Sequence, residues 1–171
     1  MGTHRLTLLR HGKAESIDDC AEDFERALTH RGTLEAQEMA KRIVQRDLVP
    51  DLMLVSPAER AWATAEIIAE ACELDAKQVQ CERELYLATA EAIWALLAKR
   101  ATDLGHIMIC GHNPALSQIA SRFGPKPERR ELPTAGIVTA SWHQGDWKTL
   151  QPEAADSCEA DDPESMSDHW E

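Results

Sequence analysis

Three short runs of apolar residues stand out along the chain: Leu6-Thr7-Leu8-Leu9, Leu52-Met53-Leu54-Val55 and Ile107-Met108-Ile109-Cys110. Each is too short for a helix and predicts a buried strand. Between them the spacing turns helical. Ala36, Met39, Ala40, Ile43 and Val44 fall on one face of a helix that Thr29 caps and that runs to about Arg46. Ser56-Pro57-Ala58-Glu59 predicts a helix start with Ser at N-cap, Pro at N1 and Glu at N3, a capping box. Ala61, Ala65, Ile68, Ala69 and Cys72 continue that helix. A stretch with Glu84-Leu85-Tyr86-Leu87 leads to a further helix over roughly 90–101, and Asn113-Pro114 opens a short one with Leu116, Ile119 and Ala120 inward. Ile137 to Trp142 predicts a strand, His143-Gln144-Gly145-Asp146 a hairpin turn, and Trp147 to Leu150 the return strand. Residues 13–27 and 124–133 are polar and predict loops. The pattern shows no internal repeat.

Strands alternating with helices imply an α/β domain with a largely parallel sheet. A chain of 171 residues, 43% of them hydrophobic, suits one domain with its own core. No apolar run approaches the roughly 20 residues that span a bilayer, and the N-terminus does not resemble a secretion signal. The five cysteines are scattered without a CxxC, which predicts reduced thiols in a cytoplasmic protein and no zinc site. The net charge of −12 is unevenly spread: residues 151–171 carry eight acids and no Lys or Arg, leaving 22 acids against 18 basic residues in 1–150. The expectation is a folded domain over 1–150 and an acidic, disordered tail over 151–171. An acidic chain also argues against a nucleic-acid partner.

The chemistry gathers at strand ends. Arg10-His11-Gly12 follows the first strand, Ser56-Pro57-Ala58-Glu59-Arg60 the second and Gly111-His112-Asn113-Pro114 the third. Parallel strands with crossover helices bring their C-terminal ends to one sheet edge, where ligands bind. Two His and two Arg from distant parts of the chain therefore share one pocket, with two helix N-termini favouring an anion. Gly12 and Gly111 keep side chains off the approach to each His. Arg forks match phosphate oxygens, and a neutral imidazole can carry a phosphoryl group covalently. Arg10 and Arg60 beside His11 disfavour its protonation and keep that nucleophile free. His4, His30, His106, His143 and His169 read as structural or surface residues.

At these residues the chain resembles the histidine phosphatase superfamily, with its phosphoglycerate mutase-like fold. Leu9-Arg10-His11-Gly12, Ser56-Pro57-Ala58-Glu59-Arg60-Ala61 with Thr64-Ala65, and Gly111-His112-Asn113-Pro114 carry the likeness. Its short length, Leu28-Thr29-His30-Arg31-Gly32, Glu84-Leu85-Tyr86-Leu87-Ala88 and Leu132-Pro133-Thr134-Ala135-Gly136 look like the SixA-type phosphohistidine phosphatase branch. The resemblance implies a three-layer α/β/α domain with a mostly parallel mixed sheet. It implies that His11 is the nucleophile and that Arg10, Arg60 and His112 bind phosphate, joined by Arg26. It places Glu84 where many relatives keep a leaving-group acid. It implies no cofactor and no metal, and a substrate that is a phosphohistidine-bearing protein. Two alternatives share the site: a phosphatase of small phosphate esters or sugar phosphates, and a non-catalytic phosphate-binding adaptor. A metallohydrolase is a further rival, but the sequence holds no HExxH or compact ligand spacing.

Overall fold

The computed structural model describes residues 2–100 and 103–164. Four strands, His4–Arg10 (β1), Leu52–Val55 (β2), Val79–Cys81 (β3) and His106–Gly111 (β4), run parallel to one another. Ile137–Trp142 (β5) runs antiparallel to β1, and Ser157–Asp161 (β6) antiparallel to β5. The six strands form one sheet in the order β3-β2-β4-β1-β5-β6, so only β5 opposes the rest.

The helices His30–Gln45 (α1) and Glu59–Ala71 (α2) cover one face, and Ala90–Lys99 (α3) and Ala115–Ala120 (α4) the other. Successive strand residues feed the two cores in turn. Leu6, Leu8, Leu52, Leu54, Ile107 and Ile109 pack with α3 and α4, whereas Leu9, Met53, Val55, Met108 and Cys110 pack with α1 and α2. Because both faces are covered, the central strands read as unbroken apolar runs rather than as alternation. The three-layer α/β/α fold is therefore as the sequence implies.

Thr29 caps α1 by accepting the Gly32 N–H at 3.0 Å. The capping box at Ser56 does not form. α2 begins at Glu59 with Ala58 as its N-cap and no side-chain cap. The Ser56 hydroxyl is taken elsewhere: it lies 2.7 Å from His112 Nε2 while accepting the Ala58 N–H at 3.3 Å. The predicted return strand at 147–150 is also absent. Asp146 Oδ1 accepts the N–H groups of Lys148 and Thr149 at 2.9 and 3.1 Å, which curls this segment into a turn. Trp147 meanwhile buries its ring and donates Nε1 to the Leu104 carbonyl at 2.8 Å.

The expectation of a disordered tail from residue 151 is corrected in its first part. Pro152–Ala154 forms a 3-10 turn, and Ser157–Asp161 pairs along the whole of Ile137–Ser141. Composition pointed the other way, but β5 offers a free edge and Asp161 finds two cations. Arg42 and Arg46 each reach an Asp161 oxygen at 2.8 Å, tying β6 to α1. The rest of the expected tail, 165–171, lies outside the described residues, as does the predicted end of the third helix at 101. No helix among the described residues is long and apolar enough to cross a membrane.

Candidate active site

The C-terminal ends of β1, β2 and β4 open into one cavity of about 480 Å³. Arg10, His11, Arg26, Arg60 and His112 all line it, so five of the six residues singled out from sequence are brought together. Their supports come from the backbone. The His11 N–H donates to the Gly111 carbonyl at 3.2 Å, joining the turn after β1 to the end of β4. The His11 carbonyl accepts the Ala135 N–H at 3.0 Å, and the Arg10 N–H donates to Gly136 at 3.1 Å. Glu35, buried in α1, accepts the Lys13 N–H at 2.9 Å and the Thr134 hydroxyl. The block Leu132–Gly136, whose purpose the sequence did not reveal, is thus the floor under β1. Its Leu132 carbonyl accepts both Arg10 at 3.1 Å and Asn113 Nδ2 at 2.9 Å.

Gly12 serves packing more than ligand approach. A Cβ there would sit 2.7 Å from the Gly32 carbonyl oxygen, so the turn after His11 can lie against the start of α1 only without a side chain. Its N–H donates to Thr64 Oγ1 at 3.0 Å, which in turn donates to the Arg60 carbonyl at 2.8 Å. Gly111 is under no such constraint, because the nearest atom to a Cβ there is Leu116 Cδ1 at 3.9 Å.

His11 Nδ1 lies 2.7 Å from the Gly12 carbonyl oxygen. A carbonyl only accepts, so Nδ1 carries the proton and Nε2 keeps its lone pair. Burial pushes the His11 pKa down to about 3, and His112, Arg60 and Arg10 push the same way. The imidazole is therefore neutral at pH 7. His112 is likewise lowered to about 4, first by burial and then by Arg60. The two rings stand 5.2 Å apart between centroids.

Two residues that the sequence did not single out organise the cations. Asp23, on the 3-10 turn Asp23–Glu25, places Oδ2 3.0 Å from Arg60 and Oδ1 3.0 Å from Arg26. Its backbone carbonyl accepts a second Arg60 bond at 2.7 Å. Tyr86 donates its hydroxyl to Asp23 Oδ2 at 2.7 Å. These donors, Tyr86 first, hold the Asp23 carboxyl well below the usual carboxylate range, and Asp23 in turn pushes the Tyr86 hydroxyl up. Three Arg and one carboxylate leave the cavity net cationic, which suits a dianion.

Glu84 is the sequence-predicted residue that the fold does not bring in. It sits on the 3-10 turn Arg83–Leu85, half exposed, and pairs with Lys99 at 3.6 Å. The turn sends Leu85 into the core and Tyr86 to the cavity, so Glu84 faces away from it. The signal for Tyr86 was available: it is the one tyrosine of the chain, two positions beyond Glu84 in the same block. Asp23 lay among the acids of a polar loop with nothing to distinguish it. Among the described residues, no cluster of three or more His, Cys, Asp or Glu side chains is arranged to hold a metal ion.

Comparison with known proteins gives a consistent result. Residues 6–101 match the model of the histidine phosphatase superfamily (branch 1). An uncharacterized protein of Picosynechococcus sp. is 33% identical over 136 residues, 78% of this chain and 82% of its own. Among solved structures, SixA from Nakamurella multipartitia superposes with a TM-score of 0.76 at 22% identity, covering 93% of this chain and 96% of its own. The protein histidine phosphatase SixA complexed with tungstate superposes at 0.71 and 21% identity, covering 83% and 95%.

Proposed function

The chain belongs to the histidine phosphatase superfamily (branch 1), and from that premise we propose that it is a metal-independent phosphatase that removes phosphate from phosphohistidine in proteins. His11 Nε2 donates its lone pair to phosphorus as the bond to the leaving group breaks, giving phospho-His11. Arg10, Arg26, Arg60 and His112 hold the phosphoryl oxygens, where charge builds in the transition state. Water then attacks phospho-His11, the P–N bond to His11 breaks, the proton passes to solvent and phosphate leaves. The Gly12 carbonyl keeps a proton on Nδ1 throughout and stabilises the charge that develops on the ring.

The observation that carries the substrate class is the state of Asp23. It is the carboxylate that lines the cavity, and three donors hold it as an anion. It does not protonate a leaving group, and Glu84 faces away. An alkoxide leaving from an ordinary ester needs such a proton. A phosphoimidazole protonated on its other ring nitrogen leaves as neutral imidazole and does not. The site therefore favours P–N over P–O substrates. The SixA proteins of the same fold support the same class.

The test is phosphate release in excess chelator from a histidine-phosphorylated protein and from an aryl phosphate, for the wild type and His11→Ala. The expected result is fast release from the protein that is lost in the folded His11→Ala variant. A preference for the ester keeps the His11 chemistry and moves the substrate to small esters. Phosphate binding without release from either would instead indicate an adaptor.

A further inference from the structure

Leu87 is out of place by two independent measures. Its side chain is 80% exposed, more than any other large hydrophobic among the described residues. Its backbone has φ +56°, the left-handed region that leucine avoids and that glycine and asparagine tolerate. Neither cost is recovered among the described residues. The position is nevertheless held firmly. On one side Leu85 is buried in the core and Tyr86 is anchored to Asp23; on the other Ala88 packs on the same core and Thr89 caps α3 by accepting the Ala92 N–H at 3.1 Å. Strained, over-determined residues of this kind concentrate at ligand sites.

Leu87 also stands in a functional place, at the mouth of the cavity that holds Arg10, His11 and Arg60. Phe24, 38% exposed, stands outside this lining with its ring edge-on to Tyr86 at 5.2 Å. The Arg60 and His11 side chains in the same cavity are buried, whereas Leu87 is not. A phosphoryl group small enough to lie among them leaves a side chain at the mouth still in water. What covers Leu87 must enter through that mouth and extend beyond it.

We propose that Leu87 is a specificity-determining residue that packs against the apolar surface flanking the phosphohistidine of a folded protein substrate. This rests on the function proposed above, and it assigns the discrimination between a protein and a free phosphohistidine to one side chain. Leu87 takes no part in the chemistry, so its removal alters recognition alone.

The test compares kcat/KM for a histidine-phosphorylated protein domain and for free phosphohistidine, using the wild type, Leu87→Gly, Leu87→Asn and Leu87→Met. Gly and Asn accept the left-handed backbone, so both variants fold. Each is expected to lose about tenfold on the protein, chiefly through KM, the scale that burying one leucine brings. Neither should change on free phosphohistidine, and Leu87→Met should stay near the wild type on both. Equal effects on the two substrates, or none on the protein, would overturn the inference while the functional reading stands. Failure of the wild type to act on either substrate would overturn both.

Discussion

Lowering the pH from 7 to 5 is expected to remove a large part of this fold's stability. Burial is the first cause that depresses three histidines, His11 to about 3, His106 to about 4 and His112 to about 4, from an ordinary 6.5. At pH 5 the folded chain leaves all three unprotonated, while the unfolded chain protonates them. The unfolded state then binds more protons, so stability rises with pH and falls as acid is added. The histidine contribution is complete above pH 6.5 and declines by about 1.4 kcal/mol per unit per group below it. At pH 5 that is about 2 kcal/mol each and about 6 kcal/mol together, against about 5–15 kcal/mol for a whole domain. The depressed carboxyls do not share this window. Asp23 and Glu153 start from 3.8 and 4.5, and their contributions are lost only as the pH falls below those values. Urea unfolding at pH 7, 6 and 5 measures the effect through the midpoint at constant slope. Saturating phosphate isolates its origin, because an anion among the arginines raises the affinity of His11 and His112 for protons and leaves His106, hydrogen-bonded to Thr7 at 2.8 Å, untouched. Midpoints that stay level between pH 7 and 5 would refute the burial argument.

Two substitutions probe the site directly. Glu84→Gln should leave kcat/KM within about twofold in phosphatase assays, because an exposed pair with Lys99 contributes little; a loss of a hundredfold would restore it as a proton donor. Arg60→Ala should lower kcat by about 10²–10³, the scale of one lost preorganised donor, with the folded state checked by circular dichroism.

The strands were legible because they are buried on both faces. Leu52–Val55 reads as an uninterrupted apolar run and is a strand over those same residues. β3 was not legible: Val79-Gln80-Cys81 is three residues with a polar centre, paired because β2 offers an edge. β6 was hidden for the same reason, since its Ser, Glu and Asp carry no strand signal and its partner lies across a turn. At the site, the groups attached to strand ends were legible, because topology alone gathers them. Asp23 was not, because its bonds span 37 residues to Arg60 and 63 to Tyr86 and depend on how a polar loop folds back. Glu84 and Tyr86 differ by two positions in a tight turn, and only the turn decides which of them faces the cavity.

The last strand has a consequence for life in a crowded solution. Among the described residues β6 is the outer margin of the sheet, with no further strand beyond it. An open margin invites a strand from a second molecule. Here Ser157 and Glu159 stand exposed on that margin, while Asp161 is turned in against Arg42 and Arg46. Two such margins brought together would set carboxylate against carboxylate. An exposed carboxylate on an edge strand is a feature that opposes such pairing. A chain ending at residue 150 would expose β5 in its place, with Val138, Ala140 and Trp142 along it.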